Sequence, residues 1–209
     1  APTEAGRRMP RGAPECAAAR IEPAAAVRVG ANRVELDLGR VTKMGMVTPN
    51  QPRSVIAEEY RVIKRPLIRN VQGKGAAVVA NGNLIMVTSA LPGEGKSFTA
   101  INLAMSIAME LDHTVLLVDA DFSRPAILSR LGLPPAKGLM DVLVGDVDDL
   151  SEVMMRTNVE NLSILPAGMP HQRVTELIAS GAMNRMLDEM SSRYAERIIV
   201  FDSPPLLAT

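Results

Sequence analysis

Aromatic side chains are scarce in this sequence of 209 residues, which has no tryptophan, two tyrosines and three phenylalanines. Proteins that hold single-stranded nucleic acid stack its bases on aromatic rings, so the scarcity argues against such a surface. Lysine and arginine together number 23, as do aspartate and glutamate, and this balance gives no positive field that would attract DNA, RNA or an anionic membrane. We therefore expect no nucleic-acid partner.

Cysteine and long apolar runs are also lacking. The single cysteine, Cys16, has no second thiol in the chain with which to form a disulfide, as is typical of a reducing compartment. No apolar run approaches the ~20 residues that cross a bilayer, and no signal-peptide pattern is visible. With 47% apolar residues, the composition predicts a soluble globular protein whose core is built from aliphatic side chains and methionine.

Composition divides the chain into three parts. Residues 1–33 are rich in Ala, Pro and Arg and predict a disordered tail. Residues 34–82 form an N-terminal segment with an amphipathic helix over 54–70, which Pro66 is expected to kink or end. Residues 83–209 alternate apolar runs with helical patterns, which predicts an α/β domain.

Apolar patterning places the individual elements. Strands are predicted over 34–38, 84–88, 115–118, 162–165 and 197–202, with a strand or linker over 72–83. Helices are predicted over 54–70, 97–111, 126–131, 139–143, 150–155 and 175–194.

Charged side chains recur at three-residue spacing on the helix over 54–70, at Glu58, Arg61 and Lys64. Residues three apart on a helix are neighbours, so one interpretation is a row of intrahelical ion pairs on a solvated face, worth ~0.2–0.5 kcal/mol per pair. The other interpretation is a surface for self-association. Spacing alone favours the first.

A glycine-rich loop joins the strand over 84–88 to the next helix, with the sequence ALPGEGKS at 90–97. It matches the phosphate-binding pattern G-x-x-x-x-G-K-[ST] except for Ala90 at the first position. Small residues let backbone N–H groups approach a phosphate, and the following helix points its positive end at the same place. The loop predicts a nucleoside triphosphate site; the alternative, a turn that binds nothing, leaves Lys96 unexplained.

Asp119 and Asp121 follow the apolar run over 115–118. Side chains two apart in a strand point to one face, and this end of a parallel strand opens on the ligand crevice. Two carboxylates there predict Mg²⁺ binding or proton transfer, with capping of the strand end as the alternative. Arg124 is a candidate to bind phosphate or to cap that helix. A last apolar run ends at Asp202, which suits the Walker B position.

VTSALPGEGKS, VLLVDADFSRP and IIVFDSPP together resemble Walker A, Walker A′ and Walker B of the bacterial tyrosine autokinases (BY-kinases) of capsule and exopolysaccharide biosynthesis. KGLMDVLVGD and LPAGMPHQRVTELIAS also resemble segments of this family. EEYRVIKRPLIRN resembles its helix with an ExxRxxR oligomerisation motif, Lys64 replacing the last arginine, and looks most like the exosortase-associated branch. The resemblance implies a P-loop fold of the MinD/ParA type, with a mostly parallel, doubly wound sheet and flanking helices.

The resemblance also implies ATP and Mg²⁺ as cofactors and assigns the site residues. Catalytic roles fall to Lys96, Asp119, Asp121 and Asp202. Nucleotide contacts fall to Gly93, Glu94, Gly95, Lys96, Ser97, Phe98 and Arg124. Metal ligands are Ser97, Asp119, Asp121 and Asp202, and self-association falls to Glu58, Arg61 and Lys64. Which of Asp119 and Asp121 takes the tyrosine proton is left open.

The implied partners are other copies of the chain, which would supply acceptor tyrosines, and a membrane polysaccharide co-polymerase that would bring a cytoplasmic protein to the inner membrane. Leu91 stands where MinD/ParA proteins carry a signature lysine, which favours the kinase over an ATPase switch. The family's tyrosine cluster is not seen, and Tyr60 and Tyr194 are predicted to be structural. We therefore expect the chain to be a C-terminally incomplete kinase of weak or no activity, with a non-catalytic scaffold as a further alternative.

Overall fold

The computed structural model describes residues 32–75 and 79–207. The predicted disordered tail lies outside the described residues as far as position 31, while its last two residues belong to the first strand. Residues 76–78, within the predicted linker or strand before the glycine loop, lie outside them as well.

Strands and helices alternate along most of the described chain. The strands are β1 (Asn32–Val34), β2 (Leu84–Val87), β3 (Thr114–Asp119), β4 (Met155–Thr157), β5 (Leu162–Leu165) and β6 (Arg197–Asp202). The helices are α1 (Leu38–Lys43), α2 (Val55–Val71), α3 (Lys96–Ala108), α4 (Ile127–Leu131), α5 (Leu139–Leu143), α6 (Leu150–Val153), α7 (Val174–Ile178) and α8 (Gly181–Arg193).

The six strands form one sheet in the order β1-β4-β5-β3-β6-β2. Every neighbouring pair is parallel except β4 with β5. The three strands that precede or end in the predicted motifs, β2, β6 and β3, lie side by side, so their carboxyl ends meet at one edge of the sheet. This arrangement is the predicted mostly parallel sheet with flanking helices.

Each face of the sheet is covered by its own hydrophobic cluster. On β3, Val115 and Leu117 join the cluster under α2 and α3, whereas Leu116 and Val118 join the cluster under α5, α6 and α8. The alternation follows from the two-residue period of a strand. Burial on both faces explains why β3 and β6 are continuous apolar runs rather than alternating ones.

Helix α2 begins at Ser54, whose hydroxyl accepts a hydrogen bond from the N–H of Ala57. Of the two effects predicted for Pro66, a kink or an end of the helix, the second is wrong, because α2 continues to Val71. Proline removes one backbone donor, but Leu67 and Ile68 beyond it pack against the core and hold the last turn in place. No helix within 32–75 and 79–207 combines the length and the apolar character that a membrane crossing requires.

Three other predicted boundaries differ from the structure. The first strand lies at Asn32–Val34 rather than over 34–38, since Asp37 caps α1 by accepting the N–H of Arg40 at 2.9 Å. The helix predicted over 175–194 is two helices, because Ser180 caps a new one at Gly181. β4 was not predicted, since its three residues are too few to show an alternating pattern. The prediction that Tyr60 and Tyr194 are structural fits their burial in the two clusters.

Candidate active site

The glycine loop joins β2 to α3 and exposes backbone N–H groups at the start of that helix. Gly93 and Gly95 have φ of 89° and 94°, a left-handed conformation that other residues adopt only with strain. Glu94 braces the turn by accepting the N–H of Leu91 at 3.0 Å. Among the described residues no side chain caps α3, a helix of 13 residues. The backbone N–H groups of its first turn are therefore available to an anion.

Lys96 reaches from the start of α3 to the neighbouring strand end and forms an ion pair with Asp121, with 2.8 Å between Nζ and Oδ2. The side chains of the pair are 12% and 2% exposed. The other oxygen of Asp121 accepts the N–H of Arg124 at 3.1 Å, which fixes the carboxylate in a tight turn after β3. The structure thus brings Walker A and Walker A′ together through this ion pair.

Asp119 has a different set of contacts from Asp121. Its Oδ2 accepts the N–H groups of Ala126 and Ile127, both at 3.0 Å, and so caps the start of α4, a role that the sequence analysis did not assign to it. Among the described residues Oδ1 has no hydrogen-bond partner. Burial raises the pKa of Asp119 to about 6, and the neighbouring carboxylate of Asp202 adds to the rise.

Asp202 ends β6 directly opposite Asp119 on β3. Its side chain is 0% exposed, and within the described part of the chain neither carboxylate oxygen has a hydrogen-bond partner. Burial raises the pKa of Asp202, while Ser97 and Lys96 oppose the rise. A buried carboxylate without a close hydrogen bond is costly, so beyond the nearby Ser97 hydroxyl and Lys96 ammonium this group favours a proton or a bound cation.

The four predicted metal ligands are not arranged as a site enclosed by protein. In the described ranges no group of three or more His, Cys, Asp or Glu side chains converges on one point. Asp121 uses both oxygens and Asp119 one oxygen for protein donors, which leaves Oδ1 of Asp119, the carboxylate of Asp202 and the buried hydroxyl of Ser97 as the freer oxygens. Mg²⁺ commonly keeps several waters and takes only one or two protein oxygens beside phosphate, so these residues fit it.

Two of the predicted nucleotide contacts come after the glycine loop in the chain. The side chain of Phe98, in the first turn of α3, is partly buried and packs against the core cluster. Arg124 is exposed, and Asp119 rather than Arg124 caps the next helix. Gly93, Glu94, Gly95, Lys96 and Ser97 lie together in the loop and the first turn of α3.

The predicted self-association residues do not share one face. Glu58 and Arg61 form an intrahelical ion pair at 2.7 Å on the surface of α2. Lys64 is only 4% exposed: it turns inward, donates to the carbonyl of Ser106 and pairs with Glu110 at 2.7 Å. Three residues advance a helix by about 300°, so two such steps place Lys64 about 120° away from Glu58. The surface predicted from the sequence is corrected to Glu58 and Arg61.

Sequence patterns missed Asp141, which is buried at the start of α5. Its Oδ2 accepts the N–H of Gly138 at 2.7 Å and that of Met169 at 3.1 Å. Leu139 and Met140 donate to the carbonyls of Pro166 and Ala167, both at 2.8 Å. These bonds tie the loop after β5 to α5 beside the carboxylates. An aspartate three residues into a short helical segment gave no signal of that role.

Comparisons with known proteins agree with this geometry. The sequence model of the AAA domain family matches residues 82–209. Tyrosine-protein kinase YwqD of Bacillus subtilis (strain 168) is 31% identical over 170 residues, which are 81% of this chain and 68% of YwqD. The chimerical protein CapA2B2 has a similar crystal structure, with a TM-score of 0.65 and 26% identity over 82% of this chain and 76% of that one.

Other relatives are much longer than this chain. The succinoglycan biosynthesis transport protein ExoP of Rhizobium meliloti (strain 1021) is 32% identical over 163 residues, which are 77% of this chain and 20% of ExoP. The chain thus spans about one fifth of such a relative. The similarity covers the glycine loop and the carboxylates, and the exosortase-associated branch stays a prediction.

Proposed function

Since the chain belongs to the family of bacterial tyrosine-protein kinases, we propose that it transfers the γ-phosphoryl group of ATP to protein tyrosine and acts in exopolysaccharide or capsule biosynthesis and export. One observation carries the proposal. An uncapped helix N-terminus, a lysine paired with Asp121 and the buried, unpaired carboxylate of Asp202 meet at one edge of the sheet.

Phosphoryl transfer requires positioning and neutralisation of charge more than covalent chemistry by the protein. The backbone N–H groups from Gly93 to Ser97 would bind the phosphate oxygens. The ammonium of Lys96 has three donors, so it can contact a β or γ oxygen while keeping its hydrogen bond to Asp121. Asp121 is thereby a positioning residue for the lysine.

Ser97 and Asp202 are the residues that would hold Mg²⁺, Ser97 directly and Asp202 through a water. An ion held there would supply positive charge that offsets the negative charge of the phosphates. The unpaired oxygens of Asp202 support this assignment, since a cation or its water supplies the partner that the fold leaves out.

Asp119 suits the role of proton acceptor for the tyrosine hydroxyl better than Asp121 does. A general base works best when its pKa is near the operating pH, and burial raises the pKa of Asp119 to about 6. Its Oδ1 is not engaged by any described residue, whereas Asp121 is held by Lys96 and the N–H of Arg124. The two N–H groups that bind Oδ2 hold the carboxylate in one orientation.

The proposed partners are other copies of the chain, approached through the exposed surface of α2, and a membrane polysaccharide co-polymerase. The name of ExoP, a transport protein of succinoglycan biosynthesis, supports the link to polysaccharide export. Both tyrosines of the given sequence are buried, which argues against either of them as the acceptor. We place the protein at the cytoplasmic side of the inner membrane through such a partner.

The experiment is phosphotransfer to an added acidic polypeptide that contains tyrosine, with ATP and Mg²⁺, followed by antibody against phosphotyrosine. We expect signal from the wild type and loss of it in Lys96→Met and Asp119→Asn, with Lys137→Met as the control for removal of a lysine. A phosphotyrosine signal from Lys96→Met equal to that of the wild type would contradict the proposal. Release of phosphate without phosphotyrosine would indicate an ATPase switch, and binding to the co-polymerase without ATP binding would indicate a scaffold.

A further inference from the structure

A small cavity opens at the carboxyl ends of β3 and β5, beside the carboxylates. We call it the β3–β5 cavity. Its volume is about 120 Å³. Most of its lining is apolar, and two polar side chains, Ser123 and His171, belong to it; the apolar lining includes Phe122, Met140, Pro170 and Val174.

The volume of the β3–β5 cavity limits what it can hold. A cavity of roughly 150 Å³ in a protein core accommodates one benzene molecule. At about 120 Å³ and open on one side, this cavity takes a single side chain the size of an aromatic ring and excludes a nucleotide. Apolar walls with two polar groups match a ring that carries a polar tip, as tyrosine does.

Hydrogen bonds hold the walls of the cavity in place. Asp141 binds the N–H groups of Gly138 and Met169, and the start of α5 donates to the carbonyls of Pro166 and Ala167. The N–H of Arg173 donates to Nδ1 of His171 at 3.2 Å, so in the neutral imidazole the proton lies on Nε2, where it can be donated. The cavity is therefore preformed, which lowers the entropic cost of binding.

One wall of the cavity is continuous with the proposed catalytic machinery. Phe122 and Ser123 directly follow Asp121, and the turn that presents them is closed by the hydrogen bond from the N–H of Arg124 to Asp121. Phe122 is the residue after Asp121, whose carboxylate holds Lys96, so a side chain seated against Phe122 lies beside this part of the site.

We propose that the β3–β5 cavity binds the aromatic ring of the acceptor tyrosine in a peptide substrate. The proposal rests on the proposed kinase function and names the subsite of its second substrate. The ring packs against Phe122 and Val174, with Ser123 and His171 beside it. The cavity selects tyrosine over smaller acceptors because serine and threonine leave its apolar walls uncovered.

Direct peptide binding tests the cavity without depending on turnover. The probes are a fluorescent peptide with one tyrosine among neutral polar residues and two versions with phenylalanine or alanine in its place, each measured by fluorescence polarisation with a non-hydrolysable ATP analogue and Mg²⁺. We expect affinity to fall from tyrosine to phenylalanine to alanine, with at least about a ten-fold loss for alanine, which corresponds to ~1.4 kcal/mol.

Val174→Phe places a larger side chain from α7 in the cavity. We expect it to lower the affinity for the tyrosine peptide about ten-fold or more. Ile178→Phe is the matched control, because Ile178 is on the same helix, partly exposed and outside the lining. Affinity for the ATP analogue should stay unchanged in both variants, which also shows that they are folded. Ser123→Leu, at an exposed position of the lining, provides a second obstruction if Val174→Phe fails to fold.

Equal affinity for the tyrosine and alanine peptides, no measurable peptide binding by the wild type, or unchanged binding in both cavity variants would overturn the inference. Failure of the proposed function gives a different pattern: the tyrosine peptide binds in a manner that depends on Val174, but no phosphotyrosine forms. Phosphotransfer that depends on Lys96 but not on the cavity would leave the kinase proposal standing and remove this subsite.

Discussion

At the scale of single residues, the carboxylate of Asp119 is buried beside that of Asp202. Because of this burial, the protonation of Asp119 affects the free energy of unfolding. Burial, with a further contribution from Asp202, raises the pKa of Asp119 to about 6, against 3.8 for an ordinary aspartate. Between these two pH values the folded chain binds more protons at this site than the unfolded chain does. The free energy of unfolding therefore falls as the pH rises through this window and levels off above about pH 6.

We expect Asp119→Asn to remove this fall, because asparagine keeps an acceptor for the N–H groups of Ala126 and Ile127 but carries no charge. A pKa raised by about two corresponds to about 3 kcal/mol. Between about pH 4 and pH 7 the free energy of unfolding of the variant should therefore rise, relative to that of the wild type, by up to about 3 kcal/mol. Urea denaturation at several pH values measures it. Asp112→Asn, at an exposed loop position, is the control, and parallel curves for Asp119→Asn and wild type would contradict the prediction.

The sequence predicted the presence of Asp119 and Asp121 in the site but not how they differ. The two-residue period of a strand implied that both face one side, yet β3 ends at Asp119 and the period does not continue to Asp121. Which carboxylate meets Lys96 and which meets the N–H groups of α4 depends on the turn that follows. That turn has no apolar pattern from which its geometry could be predicted.

At the scale of elements, α2 is joined to α3 by a charged contact that the sequence did not indicate. The buried ammonium of Lys64 pairs with Glu110, which follows α3, and donates to the carbonyl of Ser106. The contact lowers the pKa of Glu110, chiefly through its hydrogen bond with Lys64. Removing one partner of a buried charge leaves the other poorly satisfied, which costs more than replacing the charge by an apolar group.

We expect Glu110→Gln to lower the free energy of unfolding by about 1–3 kcal/mol, because it leaves the ammonium of Lys64 with a weaker partner. Lys64→Met keeps most of the buried hydrocarbon and removes the charge, so its loss should be smaller. Glu58→Gln, which breaks the exposed pair with Arg61, should change stability by less than about 1 kcal/mol. Urea denaturation of the three variants measures the order, and an equal or larger loss in Lys64→Met would contradict it.

Elements with a strong repeating pattern were predicted well, and those defined by a single contact were not. β5 and β6 match their apolar runs residue for residue, because both are buried among neighbouring strands. α7 and α8 were predicted as one helix, since the break between them depends on the side chain of Ser180 and not on the apolar pattern. β4 is a strand because it pairs with β1 and β5, and such long-range pairing cannot be predicted from the local sequence.

At the scale of the whole molecule, the family resemblance carried by the three motifs predicted a mostly parallel sheet and the edge at which the site lies. The β3–β5 cavity could not be predicted in this way, because its walls come from three separate segments around 122, 140 and 170. Their meeting depends on the loop that Asp141 holds. A binding surface made by distant segments has no signature within any one of them.

The exposed surface of α2 leads to a prediction about assembly. Val55 and Val62 lie two turns apart on one face of the helix, and Val62 is 71% exposed beside the Glu58–Arg61 pair. An apolar side chain that packs in a neighbouring copy loses that contact when it becomes charged, whereas the monomer loses little because the position is exposed. We therefore expect Val62→Glu to shift the chain from oligomer to monomer.

Sedimentation velocity over a range of protein concentrations measures this shift, with Leu111→Glu as the matched control because Leu111 is 94% exposed and lies outside α2. Lys64→Met supplies the sharper comparison. If Lys64 took part in assembly, as the resemblance to the oligomerisation motif implied, this variant would dissociate as Val62→Glu does. Because its side chain is committed to Glu110 within the same copy, we expect Lys64→Met to assemble like the wild type, and its dissociation, or assembly of Val62→Glu like the wild type, would contradict the proposed surface.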